Sequence, residues 1–157
     1  DVGAIAKGWA TQRAAENAPD GILISVGGNV CATGPKADGT FWSVGLQDPD
    51  GEGNLRVVTM DVGSVVTSGD YQRAYMVDGK IYHHIIDPDT LYPSQYWRAV
   101  TVVCEDSGTA DALSTALFLL PQADGQALLE KCGAQAMWVA ADGTIAYSSG
   151  FSKFVRT

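Results

Sequence analysis

Cysteine and histidine are both scarce in this chain of 157 residues, which contains three cysteines and two histidines. Cys31, Cys104 and Cys132 are too few and too scattered for a disulfide framework, and no CxxC pair indicates a zinc site. We therefore expect these residues to be buried or free thiols.

Positive charge and long apolar runs are also in short supply. Ten Lys and Arg residues stand against eighteen Asp and Glu residues, so the formal net charge is −8 at pH 7. This balance opposes binding to a phosphate polyanion, so we do not expect nucleic acid to be a partner. The longest apolar run is far shorter than the ~20 residues that a membrane-spanning helix needs, so we expect the chain itself to be soluble.

The chain begins at Asp1, without an initiator methionine or a signal peptide, and enters a helical pattern within a few residues. This start is typical of a segment of a longer protein, so it says nothing about where the parent protein is sent. Residues 1–157 are 46% apolar, which is enough to form one compact domain with its own core.

Three segments have helical patterns. The predicted helices cover residues 5–17, 107–120 and 123–131. In the first, Ile5, Trp9 and Ala10 recur at helical spacing and predict an amphipathic helix. Ser107 or Thr109 is expected to cap the second helix, and a proline follows its end.

Short runs of β-forming residues lie between these helices and after them. The predicted strands cover residues 22–26, 40–46, 55–66, 74–77, 80–86, 99–104, 136–140 and 144–148. The pair Asp78-Gly79 favours a type I′ hairpin, and residues 27–29 are expected to form a turn. We predict that the middle strands form an antiparallel meander. The order of elements predicts an α+β fold, with an antiparallel β-sheet backed by helices.

Asp111 and Thr115 stand four residues apart and therefore share one face of the second predicted helix. A carboxylate and a hydroxyl in this arrangement can give two oxygen ligands to Mg²⁺ or Ca²⁺, although either ion needs further oxygens. Alternatively, Asp111 lies in the first turn as a partner of the helix dipole, and Thr115 bonds back to its own helix. The spacing alone favours this second interpretation.

His83 and His84 are neighbours on a predicted strand, so their side chains should point to opposite faces and cannot chelate one ion together. One of them could act as a general base or bind a phosphate, because the pKa of histidine lies near neutrality. The alternative is a structural histidine beside the Asp87-Pro88 turn, where Asp87 can accept from backbone amides.

Three further segments could bind an anion through backbone amides. They are SVGGNV (25–30), TSGDY (67–71), in which Thr67 and Ser68 carry hydroxyls, and the start of the first helix between Asp1 and Lys7. None matches a Walker A or GxGxxG pattern, so ordinary turns remain the alternative. No GxSxG motif supports a hydrolytic triad.

The order of these motifs resembles that of the ApbE family of FAD:protein FMN transferases, also called flavin transferases. The similar segments are DVGAIAKGWA (1–10), ISVGGNV (24–30), the W-V-G-L strand (42–46), TSGDYQRAY (67–75), YHHIIDPDTLYP (82–93), TVVCEDSGTADALSTALF (101–118) and SSGF (148–151). HHIIDP together with ADALSTALF is a specific combination. The resemblance implies a T-fold-like domain, of which this chain is the C-terminal portion and the N-terminal half is missing.

The resemblance also implies a reaction. Family members transfer FMN from FAD to a threonine hydroxyl on an acceptor flavoprotein and release AMP, with a divalent ion, usually Mg²⁺, on the phosphates. It places the metal on Asp111, Thr115 and the backbone carbonyl of Ala4. It places His84 at the reacting phosphate and the incoming threonine.

The remaining residues carried over by resemblance are expected to contact or surround FAD. Asp1, Lys7 and the backbone around Ile85 match positions that contact FAD. Thr67, Ser68 and Asp70 fall in a loop that lines the same cleft. The resemblance further implies a parent protein outside the cytoplasm, in the cell envelope and anchored to a membrane.

One departure from the family pattern affects the loop after His84. Family members commonly have a glycine after the threonine of this loop, whereas this chain has Leu91, so a positive φ there would carry a steric cost. Two other functions remain open for the site. They are a non-catalytic FAD-binding or structural module, and a Mg²⁺-dependent pyrophosphatase that splits FAD into FMN and AMP.

Overall fold

The structure, a computed structural model, describes residues 2–71 and 73–156. Its elements are α1 (Gly3–Glu16), β1 (Leu23–Val26), β2 (Asn29–Thr33), β3 (Trp42–Gln47), β4 (Asn54–Met60), β5 (Val62–Gly69), β6 (Ala74–Val77), β7 (Lys80–His83), β8 (Ala99–Cys104), α2 (Ser107–Phe118), α3 (Gln122–Cys132), β9 (Gln135–Val139), β10 (Ile145–Tyr147) and a 3₁₀ turn at Phe151–Lys153.

The main sheet contains six strands in the order β1-β2-β5-β8-β9-β10, and each neighbouring pair is antiparallel. Two separate hairpins, β3–β4 and β6–β7, complete the strands of the described residues. The helices pack on the sheet, with α2 lying over β5 and β8 and α1 packed against α2. The prediction of an α+β fold with an antiparallel sheet backed by helices is confirmed.

Strand β8 lies at the centre of the core, and all six of its residues are buried. Successive side chains of a strand point to opposite faces, so the strand contributes to two apolar clusters. Val100 and Val102 belong to a cluster with Leu117 of α2. Val103 belongs to a second cluster with Val58 of the β3–β4 hairpin. The sheet is therefore covered by helices on one face and by this hairpin on the other.

The single strand predicted over residues 55–66 is wrong, because it is two strands in different sheets. β4 ends at Met60 and pairs with β3, whereas β5 begins at Val62 and pairs with β2 and β8. β-forming residues continue through both strands, so the pattern gives no sign of the break. The backbone bends at Asp61, between the two strands. The predicted meander is wrong for the same reason.

The two hairpin turns follow the chemistry of their residues. Asp78 and Gly79 have φ of 49° and 75°, as a type I′ turn requires, which confirms the predicted hairpin of β6 and β7. Gly27 and Gly28 also have positive φ, and the turn they make joins β1 to β2. Strand β2, which starts at Asn29, was not predicted, because the turn was expected to include that residue.

The predicted helices are present, but two details differ. The buried residues of α1 are Gly8 and Thr11, whereas Ile5 and Trp9, predicted as its apolar face, are 44% and 61% exposed. The cap of α2 is Asp106, whose Oδ1 accepts from the backbone N–H of Thr109 at 2.6 Å.

None of the helices formed by the described residues has both the length and the apolar character needed to cross a bilayer.

Candidate functional site

A cleft of about 540 Å³ opens between the start of α1, the end of β5, the segment after β7 and one face of α2. It brings together most of the residues that the sequence predicts for a functional site. Those that line it are Ala4, Lys7, Thr67, Ser68, His84, Ile85, Asp111 and Thr115. They come from four separate segments, so the fold alone places them together.

Asp111 lies at the bottom of this cleft and is only 3% exposed. Its Oδ2 accepts a hydrogen bond from the backbone N–H of Gly8 at 2.8 Å. Its Oδ1 lies 3.7 Å from Nζ of Lys7. The interpretation of Asp111 as a first-turn partner of the helix dipole is wrong, because Asp106 caps α2 and moves Asp111 beyond the first turn. Its partners instead belong to α1.

Hydroxyl groups form the wall between β5 and α2. Ser68 Oγ and Ser114 Oγ lie 2.8 Å apart, and Ser114 Oγ donates to the backbone carbonyl of Asp111 at 2.9 Å. Thr67 Oγ1 lies 2.8 Å from Oγ1 of Thr101 on the neighbouring strand. Ser114 thus connects Ser68 in the cleft to the helix that carries Asp111. Thr67 and Ser68 are part of strand β5, not of a loop as predicted.

His83 and His84 point to opposite sides of the backbone, as predicted. His83 is buried, with Nε2 2.7 Å from the carbonyl oxygen of Ser94 and its ring edge-on to Phe118. His84 lines the cleft. Partial desolvation of the ring, and then the charge of Arg73, hold the pKa of His84 below its ordinary value, while a hydrogen bond to the Arg73 backbone acts in the opposite direction. The imidazole facing the cleft is therefore biased towards its neutral form.

The loop after His84 is closed by its own backbone. The N–H of Leu91 donates to the carbonyl of Asp87 at 2.8 Å, and the N–H of Asp87 donates to the carbonyl of Tyr92 at 2.9 Å. The predicted Asp87 turn is confirmed, since Oδ1 of Asp87 accepts from the N–H of Asp89 at 2.9 Å. Leu91 has φ of 60°, so the backbone keeps the conformation that glycine would favour.

One predicted residue of the described chain does not join this group. Asp70 lies outside the cleft, where its buried carboxylate accepts from Nε of Arg98 at 2.6 Å. Arg98 also donates to Oδ1 of Asp50. Burial raises the pKa of Asp70 despite this guanidinium. Arg98 therefore connects Asp70, directly after β5, to the loop that carries Asp50. Asp1 lies outside the described residues.

Two residues that contribute to the cleft, Arg73 and Gly8, are not predicted from the sequence. Arg73 lines the cleft and adds a third nitrogen-bearing side chain to Lys7 and His84. Its place in TSGDYQRAY, directly after the predicted anion-binding segment, was the available signal. Gly8 supports Asp111 through its backbone, and no pattern in the sequence marks such a contact across 103 residues.

The oxygen atoms of the cleft provide some, but not all, of the ligands that a hard divalent cation needs. Within residues 2–71 and 73–156, no three His, Cys, Asp or Glu side chains converge as a metal-binding group. The cleft instead offers the Asp111 carboxylate and the Thr115 hydroxyl, with Ala4 in its lining. Mg²⁺ in phosphate-binding sites is commonly held by one or two carboxylates, water and substrate phosphates. These donors therefore fit Mg²⁺ completed by a bound phosphate.

Comparison with known proteins gives consistent results. The sequence model of the ApbE family matches residues 1–138. An FAD:protein FMN transferase of Treponema pallidum is 37% identical over 99% of this chain and 48% of that protein. One of Klebsiella pneumoniae is 38% identical over 83% of this chain and 42% of that protein. The chain thus spans about half the length of the curated relatives that it matches.

Solved structures show the same relationship. The crystal structure of the ApbE protein from Thermotoga maritima superposes with a TM-score of 0.90 and 39% identity, covering all of this chain and 53% of that one. The flavin transferase ApbE from Vibrio cholerae superposes with a TM-score of 0.80 and 28% identity, over 98% of this chain and 52% of that one.

Proposed function

This chain belongs to the ApbE family, and we propose that it carries part of the active site of an FAD:protein FMN transferase. In the proposed reaction, a threonine hydroxyl of an acceptor flavoprotein attacks the FMN phosphorus of FAD. A new ester O–P bond forms, the P–O bond to the AMP phosphate breaks, and AMP leaves. The hydroxyl proton is lost to a base.

The chain is proposed to be the C-terminal portion of one larger flavin transferase domain. Its partners would be FAD, the acceptor flavoprotein and the remaining half of its own domain, which supplies the rest of the flavin pocket. The support is that nearly all of this chain, but only about half of its relatives, takes part in the matches. We propose, by resemblance to the family, that the parent protein lies in the cell envelope and is anchored to a membrane.

One observation carries the proposed activity. A single cleft in an acidic protein gathers the nitrogen-bearing side chains Lys7, Arg73 and His84 around the carboxylate of Asp111. A diphosphate carries its charge on several oxygens, and transfer of a phosphoryl group requires that charge to be neutralised and the nucleophile to be positioned. The cleft has side chains suited to both tasks.

His84 is proposed to orient the acceptor hydroxyl and to accept its proton. A general base must be unprotonated when it acts, and the lowered pKa of His84 favours that form near neutral pH. Proton transfer by a positioned side chain contributes about 10²- to 10⁴-fold to a rate. The buried His83 has no part in this step, because its ring is directed to Ser94.

Asp111, Thr115 and the backbone carbonyl of Ala4 are proposed to hold Mg²⁺, or Ca²⁺. An ion bound there would supply electrostatic stabilisation of the charge that develops on the diphosphate. Lys7, beside Asp111, is proposed to contact the same phosphates. Thr67, Ser68 and the backbone at Ile85 are proposed to contact the rest of FAD, because they line the same cleft.

An assay of the complete parent protein tests this function. The protein is incubated with FAD, Mg²⁺ and an acceptor domain, and the products are separated by denaturing gel and by chromatography. Covalent flavin on the acceptor together with AMP supports transfer. AMP with free FMN and no covalent flavin would instead support hydrolysis, and unchanged FAD would support a binding module.

A further inference from the structure

Gly8 occupies a position in α1 where no side chain fits. A Cβ atom at this residue would lie 2.3 Å from the carbonyl oxygen of Ser107 and 2.4 Å from Cβ of Asp111. Both distances are far below van der Waals contact. A glycine inside a helix costs about 1 kcal/mol relative to alanine, so helix formation alone does not favour it here. Its presence allows α1 to lie directly against α2.

The backbone of Gly8 uses this close approach. In a helix, the N–H of residue 8 would normally donate to the carbonyl of residue 4. Here it donates to Oδ2 of Asp111 at 2.8 Å, in a buried hydrogen bond. This hydrogen bond ties the carboxylate to the backbone of α1, whose Ala4 lines the cleft. The N–H of Gly8 therefore occupies Oδ2 of Asp111 and does not contact Oδ1.

A second contact keeps the two helices in register. The backbone N–H of Ser107, at the start of α2, donates to Oε1 of Gln12 at 2.8 Å. Gln12 lies one turn beyond Gly8 on α1. The pair of contacts fixes both the spacing and the rotation of α1 against α2, so Ala4 and Lys7 hold a constant position relative to Asp111.

We propose that Gly8 is a positioning residue that occupies Oδ2 of Asp111, leaves Oδ1, beside Nζ of Lys7, as the one carboxylate oxygen for the cation, and thereby favours Mg²⁺ over Ca²⁺ in the cleft. This inference rests on the metal position given under Proposed function. Mg²⁺ requires near-octahedral geometry at 2.0–2.1 Å and uses few carboxylate oxygens. Ca²⁺ takes six to eight oxygens at 2.3–2.6 Å and readily binds a carboxylate through both of its oxygens. A carboxylate whose Oδ2 already accepts a hydrogen bond therefore suits Mg²⁺ better than Ca²⁺.

Two glycine substitutions at the same helix interface test the proposal. Gly8→Ala places a methyl group in the space that Ser107 and Asp111 occupy. Gly108→Ala is the matched control, because a Cβ there lies 3.3 Å from Oδ1 of Asp106 and 3.6 Å from Cα of Trp9, where small adjustments suffice. Titration calorimetry of the complete parent protein measures the affinity for Mg²⁺ and for Ca²⁺, with and without FAD.

Gly8→Ala is expected to weaken Mg²⁺ binding by about 10- to 100-fold, the usual effect of losing a group that orients a metal ligand. Ca²⁺ binding should change less, so the ratio of the two affinities falls, while Gly108→Ala leaves the ratio at its wild-type value. If Gly8→Ala does not fold, the amide at residue 8 is replaced by an ester, which removes the N–H without adding a side chain. The same fall in the ratio is then expected.

An unchanged ratio in a folded protein lacking the Gly8 N–H would overturn the proposal, and so would an equal loss of both ions or a wild-type protein that binds neither. These results are independent of the transfer assay. A changed ratio without covalent flavin on the acceptor would contradict the proposed function and leave the role of Gly8 intact. Covalent flavin on the acceptor together with an unchanged ratio of Mg²⁺ to Ca²⁺ affinity would support the proposed function and contradict the role of Gly8.

Discussion

His83 and His84 are adjacent in the chain but lie in different environments. The Nε2 atom of His83 is 2.7 Å from the carbonyl oxygen of Ser94 in the core, whereas His84 faces the cleft. His83 is the last residue of β7 and His84 follows it, so one histidine holds the following loop in place and the other is available for chemistry.

Substitution of His83 should therefore destabilise the fold, whereas substitution of His84 should not. His83→Ala removes a buried hydrogen bond and an aromatic contact with Phe118, and we expect it to lower the free energy of unfolding by about 1–3 kcal/mol. His84→Ala should leave that free energy within about 0.5 kcal/mol of wild type, as is usual for exposed residues. Urea denaturation measures both. Equal losses in the two variants would contradict this assignment.

The charge of Arg73 should be detectable in the titration of His84. Partial desolvation and the guanidinium both disfavour the imidazolium, so the pKa of His84 lies below its ordinary value of 6.5. Arg73→Met removes the positive charge and should raise this pKa. The neutral form, and any rate that depends on it, should then appear at higher pH. NMR titration of the imidazole follows the change directly, and Arg56→Met, which alters an exposed arginine outside the cleft, serves as the control.

Leu91 should be a site where glycine stabilises the fold. Its φ of 60° is unfavourable for a residue with a Cβ, and its side chain is 76% exposed, so little packing is lost on removal. A left-handed conformation costs about 1–2 kcal/mol, part of which is offset by the greater freedom of glycine in the unfolded chain. Leu91→Gly is expected to raise the melting temperature. Leu91→Ala keeps the Cβ and should not. An equal rise in both variants would show that strain is not the cause.

The contact between Asp70 and Arg98 should be structural. Arg98→Met leaves the buried Asp70 carboxylate without its guanidinium, which typically costs about 3–5 kcal/mol for a buried pair. Because Arg98 is partly exposed, we expect the lower end of this range. Affinity for FAD, measured by fluorescence quenching at a temperature where the variant is folded, should stay at the wild-type value. A selective loss of FAD affinity would place Asp70 in the binding site after all.

The sequence predicts the elements of this fold better than their arrangement. Helix α3 and strand β8 are found close to their predicted ends, because caps and β-branched runs mark them locally. The break at Asp61 was missed, since β4 and β5 have similar composition but pair with different strands. Pairing depends on contacts distant in sequence, which local periodicity does not record.

The candidate site likewise combines features that local sequence predicts with contacts that it does not predict. The spacing of Asp111 and Thr115 predicts one helix face, and both residues line one cleft. By contrast, the partners of Asp111 come from Gly8 and Lys7, about one hundred residues away in the chain. Asp70 was placed in the cleft by its position in TSGDY. The side chain turns instead to Arg98, a residue that no motif connects to that segment.

The most direct test of the proposed transfer is the rate at which covalent flavin appears on the acceptor domain in a single turnover, measured by in-gel fluorescence. The complete parent protein is compared with its His84→Asn variant, at equal FAD and Mg²⁺ and with FAD binding confirmed for both. We expect wild-type protein to label the acceptor, and His84→Asn to do so about 10²- to 10⁴-fold more slowly. Labelling by His84→Asn at a rate near wild type, or no labelling by the wild-type protein, would contradict the account.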